Sequence, residues 1–467
     1  MRGSGLCQIA SNYLLYIMKN KILLLGFVAF ATMCTAQFDE GLATTLQEIL
    51  IDRVQNGGNN GVSACVIMPN GDMWTGQAGD GLGTDITDTT VFHAASVTKT
   101  NMATLFLLLA EDGLVNLDAP WTQYITLNSS FNENITLRQL LSNISGIADY
   151  LEIAGVGDLV LEDPNHFFTS EELIEDIVSE VPDFAPGTDF HYSSSNFVLA
   201  GMIAEAITGN PVQDEFRTRI WEPLALQHTY YGGYDDYTEP RAGVWWNFGD
   251  GLMNYNLISE TSMLSFGYGC SNIVSTPHDM AIFIHALLTG QILSPSSLNE
   301  MMVFSPESFD DWSAGYGMGL HHAIGTGTYQ VLGHDGYYTN MSSVFHSMNH
   351  DFTVATMTNT QTTWYGIFNP VYDAVLEFLE TGISSPVSDE GLYVFPNPAS
   401  TQLFISAATS GVYQLKMLDC TGKVAMEVDA LNDKDAVLDV SQLATGIYSV
   451  VLFWNDDVMK KTICIAD

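Results

Sequence analysis

The chain is 467 residues long and carries 54 acidic against 14 basic residues, a formal net charge of -40 at pH 7. A field of that sign repels the phosphates of nucleic acid and of anionic lipid surfaces, so no nucleic-acid partner is expected. The length allows two or more domains and a large core.

Taken in order, the chain opens with Met18-Lys19-Asn20-Lys21, an apolar run from Ile22 to Ala31, and Cys34-Thr35-Ala36 before Gln37. A short positive region, an apolar stretch and a small-residue end predict a signal peptide over residues 1–36, with Met18 as the alternative true start. The apolar run is too short to favour a membrane anchor, so no transmembrane anchor is expected in the mature chain. Beyond the signal lie Cys65, Cys270, Cys420 and Cys464. They are too few for a disulfide scaffold, their pairing is open, and no C-x-x-C supports structural zinc.

Residues 38–55 have a helical pattern, and Val62–Met68, Asn70-Gly71 and Met73 onward predict a β-hairpin. Next comes Phe92-His93-Ala94-Ala95-Ser96-Val97-Thr98-Lys99. On a helix, Ser96 and Lys99 share one face about a turn apart. A serine hydroxyl needs a base to become a nucleophile, and a lysine amine serves as one if its pKa is lowered. Lys99 is the only lysine from Ile22 to Leu415, and the following Met102–Ala110 is apolar on every side. The plain alternative is that Ser96 caps the helix and Lys99 reaches out to water.

Further on, residues 135–143 predict a short capped helix and residues 171–179 another. Phe197–Ile207 predicts a buried helix stopped by Gly209. Residues 230–256, rich in Tyr, Trp, Asp and Gly, have no period and predict a long loop; its Trp245-Trp246 either lines a cleft or packs over one. Ser275-Thr276-Pro277 starts a helix, residues 331–345 and 352–358 have strand character, and residues 365–380 predict a final helix. His321, His322, His346 and His350 have no carboxylate or cysteine to complete a metal set, so no metal and no cofactor are expected. Strands at both ends with helices between them predict an α+β fold with a mostly antiparallel sheet. Residues 384–391 predict a linker, and residues 392–467, with short alternating strands and turns, a small all-β sandwich.

Ser96-Val97-Thr98-Lys99, then Tyr192, then His334-Asp335-Gly336 come in an order that resembles the serine β-lactamase-like family. So do residues 135–146, Pro186-Gly187-Thr188 and Glu222-Pro223-Leu224. The likeness is to the group of class C β-lactamases, D-Ala-D-Ala carboxypeptidases and esterases, over roughly residues 40–380 of an expected catalytic domain at 37–383. The resemblance implies Ser96 as acylated nucleophile, and Lys99 and Tyr192 sharing proton transfer, the tyrosine as phenolate or in a hydrogen-bonded relay. It places His334 at the position of the family's third-motif Lys. It also implies an oxyanion hole from the backbone N–H groups of Ser96 and of Tyr337, just after Gly336. Ser194 departs from the family's Tyr-x-Asn. A shorter hydroxyl weakens amide recognition and makes esters more plausible substrates, while Asn196 is placed too far along to substitute.

Residues 392–399, 418–424 and 443–448, with Lys460-Lys461, resemble a type IX secretion sorting domain. This implies the secretion machinery as partner and a secreted or cell-surface location, via the periplasm, in a Gram-negative bacterium. The expected function is an exported serine hydrolase acting through an acyl-enzyme on an ester or amide, such as a D-amino-acid peptide. The alternatives are a catalytically weak binding protein of the same fold and a true β-lactamase.

Overall fold

The computed structural model describes residues 38–382 except 154–158, 176, 179, 248–251, 255, 257, 310–312, 324–330 and 362–364. It also describes 392–465 except 396–398, 400, 408–412, 420–422, 432–434 and 455–456. The predicted signal peptide, the 384–391 linker and Pro396-Asn397-Pro398 lie outside these residues.

Helix α1 (Glu40–Gln55) starts where the Asp39 carboxylate accepts the Leu42 N–H at 2.9 Å. It buries Leu42, Leu46 and Leu50, a stripe at helical spacing. Strands β1 (Gly61–Ile67) and β2 (Met73–Gly79) form the expected hairpin. They join five strands from the far end of the catalytic region: β3 (Ser313–Tyr316), β4 (His321–Ala323), β5 (Val331–Tyr337), β6 (Met341–Ser347) and β7 (Phe352–Thr358). The seven-stranded sheet runs β2-β1-β7-β6-β5-β4-β3 with antiparallel neighbours throughout. Every residue of β1, β6 and β7 is buried, because helices cover both faces. Closing the sheet from both chain ends carries β5, with His334, alongside the helix that follows Ser96.

That helix, α2 (Val97–Glu111), is buried on nearly all sides. The short helix α3 (Leu137–Leu141) has a full capping box between Thr136 and Gln139. Helix α4 (Ser195–Thr208) ends at Gly209, whose φ of 71° is the left-handed conformation that lets the chain leave a helix. Helix α5 (Pro277–Leu288) begins at Thr276, whose hydroxyl accepts the Asp279 N–H, with Pro277 in the first turn as expected.

Two expectations are corrected. Residues 230–256 contain short strands at Tyr230–Tyr231, Trp245–Asn247 and Leu252–Asn254. Runs of two or three residues are too short to show alternation in sequence, and Trp245 finds its partners, Asn254 and Thr360, from outside its own stretch. The final helix, α6 (Phe368–Gly382), begins later than predicted, because Tyr365 has φ 56°, which no helix accepts.

Residues 392–465 form a three-stranded and a four-stranded antiparallel sheet. Leu403 and Ile405 of the first share a core with Leu415, Met417, Val450 and Leu452 of the second, the expected sandwich. No helix among the described residues is long and apolar enough to cross a membrane.

Candidate active site

Ser96 stands at the N-terminus of α2, yet its side chain caps nothing. Its Oγ instead accepts a hydrogen bond from Lys99 Nζ at 3.1 Å. The ammonium does not reach water: Lys99 is 1 % exposed, donates also to the Cys270 carbonyl at 3.1 Å, and lies 4.8 Å from the Tyr192 ring centroid. Burial pushes its pKa down, against the opposing fields of Cys270, Asp149 and Asp335. Both plain alternatives, the cap and the solvated lysine, are thereby corrected. The helix is surrounded, so its third residue, Lys99, has no path to solvent.

The backbone before Ser96 is bent for this purpose. Ala95 has φ 49°, a left-handed conformation that costs a residue with a Cβ on the order of 1–2 kcal/mol. The Ala95 carbonyl is held by the Thr98 N–H at 3.0 Å and the Thr98 hydroxyl at 2.7 Å, and that hydroxyl accepts the Ile273 N–H at 3.0 Å. Among the described residues the Ser96 N–H donates to no group.

Tyr192 is brought to the same place and shares a hydrogen bond with Ser96. Burial raises its pKa well above 10, the Ser96 bond pulls it down less, and Asp335 adds to the rise. The resting side chain is therefore a neutral phenol, which favours the relay over the phenolate.

His334 lies on β5 with its ring 6.2 Å from that of Tyr192. Its Nδ1 faces the Asp335 carbonyl, which can only accept, so Nδ1 carries the proton and Nε2 accepts from Tyr316 O–H at 3.1 Å. Burial lowers its pKa to about 3. A neutral imidazole thus stands where the resemblance puts a lysine cation. Its hydrogen bonds go to Tyr316 and Asp335, and Tyr316, packed edge-on to Tyr192 at 5.7 Å, bridges it to the reacting groups.

Gly336 is required by closeness. A Cβ there would lie 2.4 Å from Ser342 Oγ, 2.5 Å from the Ala94 carbonyl and 2.8 Å from Ala95 Cβ. This contact brings β5 against the bend before Ser96, with Tyr337 next in line at the strand's end.

Ser194 is buried at the N-terminus of α4, where its side chain makes no capping bond. Its backbone N–H bonds to the Asp149 carboxylate. Asn196 is turned away: its Nδ2 donates to Asn143 Oδ1 at 2.9 Å and its Oδ1 accepts from Ser145 at 2.6 Å.

Sequence reasoning singled out neither Tyr316 nor Asp149. Asp149 is 6 % exposed, its pKa is raised by burial, and its field acts on Lys99. No alternating pattern marked Tyr316, and a lone acid in Ile147-Ala148-Asp149 carried no spacing signal. The described residues contain no cluster of His, Cys, Asp or Glu suited to a metal. Cys65 and Cys270 are buried free thiols. Two surface cavities, of about 320 and 340 Å³, do not include Ser96.

Residues 46–376 match the family model described as beta-lactamase, and residues 393–466 the model described as a secretion system C-terminal sorting domain. The fold is similar to the D-amino acid amidase of Ochrobactrum anthropi SV3, with TM-score 0.65 and 27 % identity over 74 % of this chain and 100 % of that one. It is also similar to a D-stereospecific amidohydrolase from Streptomyces, with TM-score 0.61 and 28 % identity over 73 % and 99 %. In sequence the chain is 30 % identical to the penicillin-binding protein PbpX of Bacillus subtilis (strain 168), over 51 % of this chain and 55 % of that protein. To the teichoic acid D-alanine hydrolase of Staphylococcus aureus it is 22 % identical, over 46 % and 50 %. These matches span about half the length of the two curated relatives.

Proposed function

From the premise that the chain belongs to the β-lactamase family, we propose that it is an exported serine hydrolase that forms an acyl-enzyme on Ser96. The observation that carries this reading is the 3.1 Å bond from a fully buried, pKa-lowered Lys99 to an uncapped serine hydroxyl. The lysine, once neutral, takes the Ser96 proton as Oγ attacks a carbonyl carbon. The substrate oxygen gathers charge beside the Ser96 and Tyr337 N–H groups. Tyr192, a neutral phenol hydrogen-bonded to Ser96, gives its proton to the leaving oxygen or nitrogen and is reprotonated from Lys99. Water then attacks the acyl-enzyme, and the serine recovers its proton as the acid leaves. His334 and Tyr316 are positioning residues on this reading, because they reach Tyr192 through ring packing.

The substrates are small esters or amides, including aminoacyl ones, in keeping with the amidase and D-alanine hydrolase named among the relatives. The sorting domain at 393–466 supports delivery through the periplasm to the cell surface or beyond in a Gram-negative bacterium. The binding-protein alternative rests on Ser194 alone. Ser96→Ala should abolish p-nitrophenyl acetate turnover with an unchanged melting temperature. Turnover persisting in that variant contradicts the nucleophile assignment.

A further inference from the structure

The two N–H groups proposed to meet the substrate oxygen lie on separate segments, the bend before Ser96 and the end of β5. The close approach of Gly336 and the 2.7 Å bond from Ser342 Oγ to the Ala94 carbonyl join these segments on one side. On the other side stands His93, in the two-residue strand Phe92–His93 that runs into the bend. His93 is buried and reaches the β5–β6 turn twice. Its backbone N–H donates to Asn340 Oδ1 at 2.8 Å, and its Nδ1 is hydrogen-bonded to the Thr339 hydroxyl. Thr339 and Asn340 are buried too, and follow Tyr337 directly after Tyr338. Asn340 Nδ2 donates to the Gly243 carbonyl at 2.8 Å, and Tyr338 O–H to the Met263 carbonyl at 3.1 Å. All three turn residues are therefore tied down, and the bonds of His93 are the ones that tie the turn to the strand leading into Ser96.

Glu260 fixes the far edge of the imidazole. His93 Nε2 stands 3.3 Å from Glu260 Oε1, while Oε2 pairs with Arg241 Nη1 at 2.7 Å and accepts from Tyr237 O–H at 2.8 Å. Burial by itself would raise the pKa of this carboxyl, but the bonds from His93 and Arg241 outweigh it and bring it down to about 2. An ionised carboxylate only accepts, so Nε2 carries a proton and Nδ1 is left for Thr339. The threonine hydroxyl can donate to a neutral ring or accept from a charged one, so the bond to the turn survives in either state. Arg241 and Tyr237 come from the 230–256 stretch, which thus bears on the site through Glu260 and His93.

We propose that His93 is a positioning residue for the oxyanion hole: braced by Glu260, its imidazole clamps Thr339 and so fixes the Tyr337 N–H against the bend that carries the Ser96 N–H. Its ring bonds go to Thr339 and Glu260, so it acts through the turn rather than on the reacting atoms. This inference rests on the hydrolase reading above and on its oxyanion assignment.

The test separates the two edges of the ring. In His93→Asn the amide lies where Nδ1 was and keeps Thr339. In His93→Gln it lies where Nε2 was, keeping Glu260 and losing Thr339. The full chain is assayed with p-nitrophenyl acetate, and a boronic acid, which forms a tetrahedral adduct, probes the oxyanion hole. His93→Gln should lose about ten- to 100-fold in kcat with KM unchanged, because the geometry it loosens matters in the transition state. The Ki of the boronic acid should rise by a similar factor, and His93→Asn should recover most of both losses. Thr339→Val, which removes only the hydroxyl, should repeat the loss, and the double variant His93→Gln/Thr339→Val should be no worse than either alone. A merely structural role would lower the melting temperature of both His93 variants and leave kcat and Ki of the folded protein unchanged. Wild-type kcat in His93→Gln or Thr339→Val, or equal impairment of His93→Asn and His93→Gln, overturns the clamp and leaves the hydrolase reading intact. Failure of the wild-type chain to be acylated on Ser96 overturns both. Thr339→Val decides the matter if His93→Gln does not fold.

Discussion

Replacing Gly336 by alanine probes how closely β5 must approach the bend before Ser96. The added Cβ would stand 2.5 Å from the Ala94 carbonyl, whereas ordinary contact begins at 3.4 Å, so strand and bend must part by 3.4 - 2.5 = 0.9 Å along that line. The neighbours have little room to yield. Ser342 Oγ, 2.4 Å from the new atom, donates to the same Ala94 carbonyl at 2.7 Å, and that carbonyl also accepts the Val97 N–H at 3.3 Å. Overpacking of this kind costs roughly 1–3 kcal/mol of stability. If the Ser96 and Tyr337 N–H groups form the proposed oxyanion hole, parting them by nearly an ångström costs on the order of 100-fold in rate. The assay is kcat/KM for p-nitrophenyl acetate together with the Ki of a boronic acid, whose tetrahedral adduct would use the same two N–H groups on the proposed mechanism. Both should worsen by similar factors in Gly336→Ala. A folded variant with kcat/KM within about threefold of wild type would refute the oxyanion geometry.

Three further substitutions test separate links. Tyr316→Phe removes the donor to His334 Nε2 and leaves a buried acceptor unsatisfied, which should cost about 1–3 kcal/mol by urea denaturation; unchanged stability contradicts the assigned tautomer. His334 has a folded pKa near 3 against an ordinary 6.5, so the unfolded chain gains a proton first as pH falls. Its contribution is complete above pH 6.5 and declines toward pH 3 at up to about 1.4 kcal/mol per unit. His334→Gln should flatten the fall of the urea midpoint between these limits, and a slope equal to wild type counts against a buried neutral imidazole. Asp149 helps keep Lys99 protonated, so Asp149→Asn should move the acidic limb of the pH–rate profile to lower pH; a shift to higher pH, or none, contradicts its coupling to Lys99.

Strand character at residues 62–68, 331–345 and 352–358 was legible because β1, β6 and β7 are buried on both faces and read as apolar runs, and closure of the sheet from the two ends of the catalytic region follows from where those runs lie, whereas β3 and β4, of four and three residues, are too short to show a period. Ser96 and Lys99 were legible because three residues on a helix is a local relation, and a lone lysine before an enclosed apolar helix is conspicuous. What escaped were Tyr316, Asp149 and the steric role of Gly336, each set by contacts between distant segments. Tyr316 matters only because β3 lies near β5 in the sheet, which brings its hydroxyl to His334. Asp149 matters only because the chain around it folds back to within the field of Lys99. The role of Gly336 could not be read as a turn glycine, since its demand is steric and comes from Ala94, far away in sequence. Residues 230–256 failed as a pattern because strands of two or three residues carry no period, and their partners come from elsewhere.

The central claim is that Ser96 carries the acyl group. It is tested most directly by the intact mass of the full chain, acid-quenched seconds after mixing with p-nitrophenyl acetate and then digested for peptide mapping. The account predicts one acetyl group per chain, confined to the peptide containing Ser96 and absent from Ser96→Ala. An acetyl group on any other residue, or steady turnover by Ser96→Ala, would contradict it.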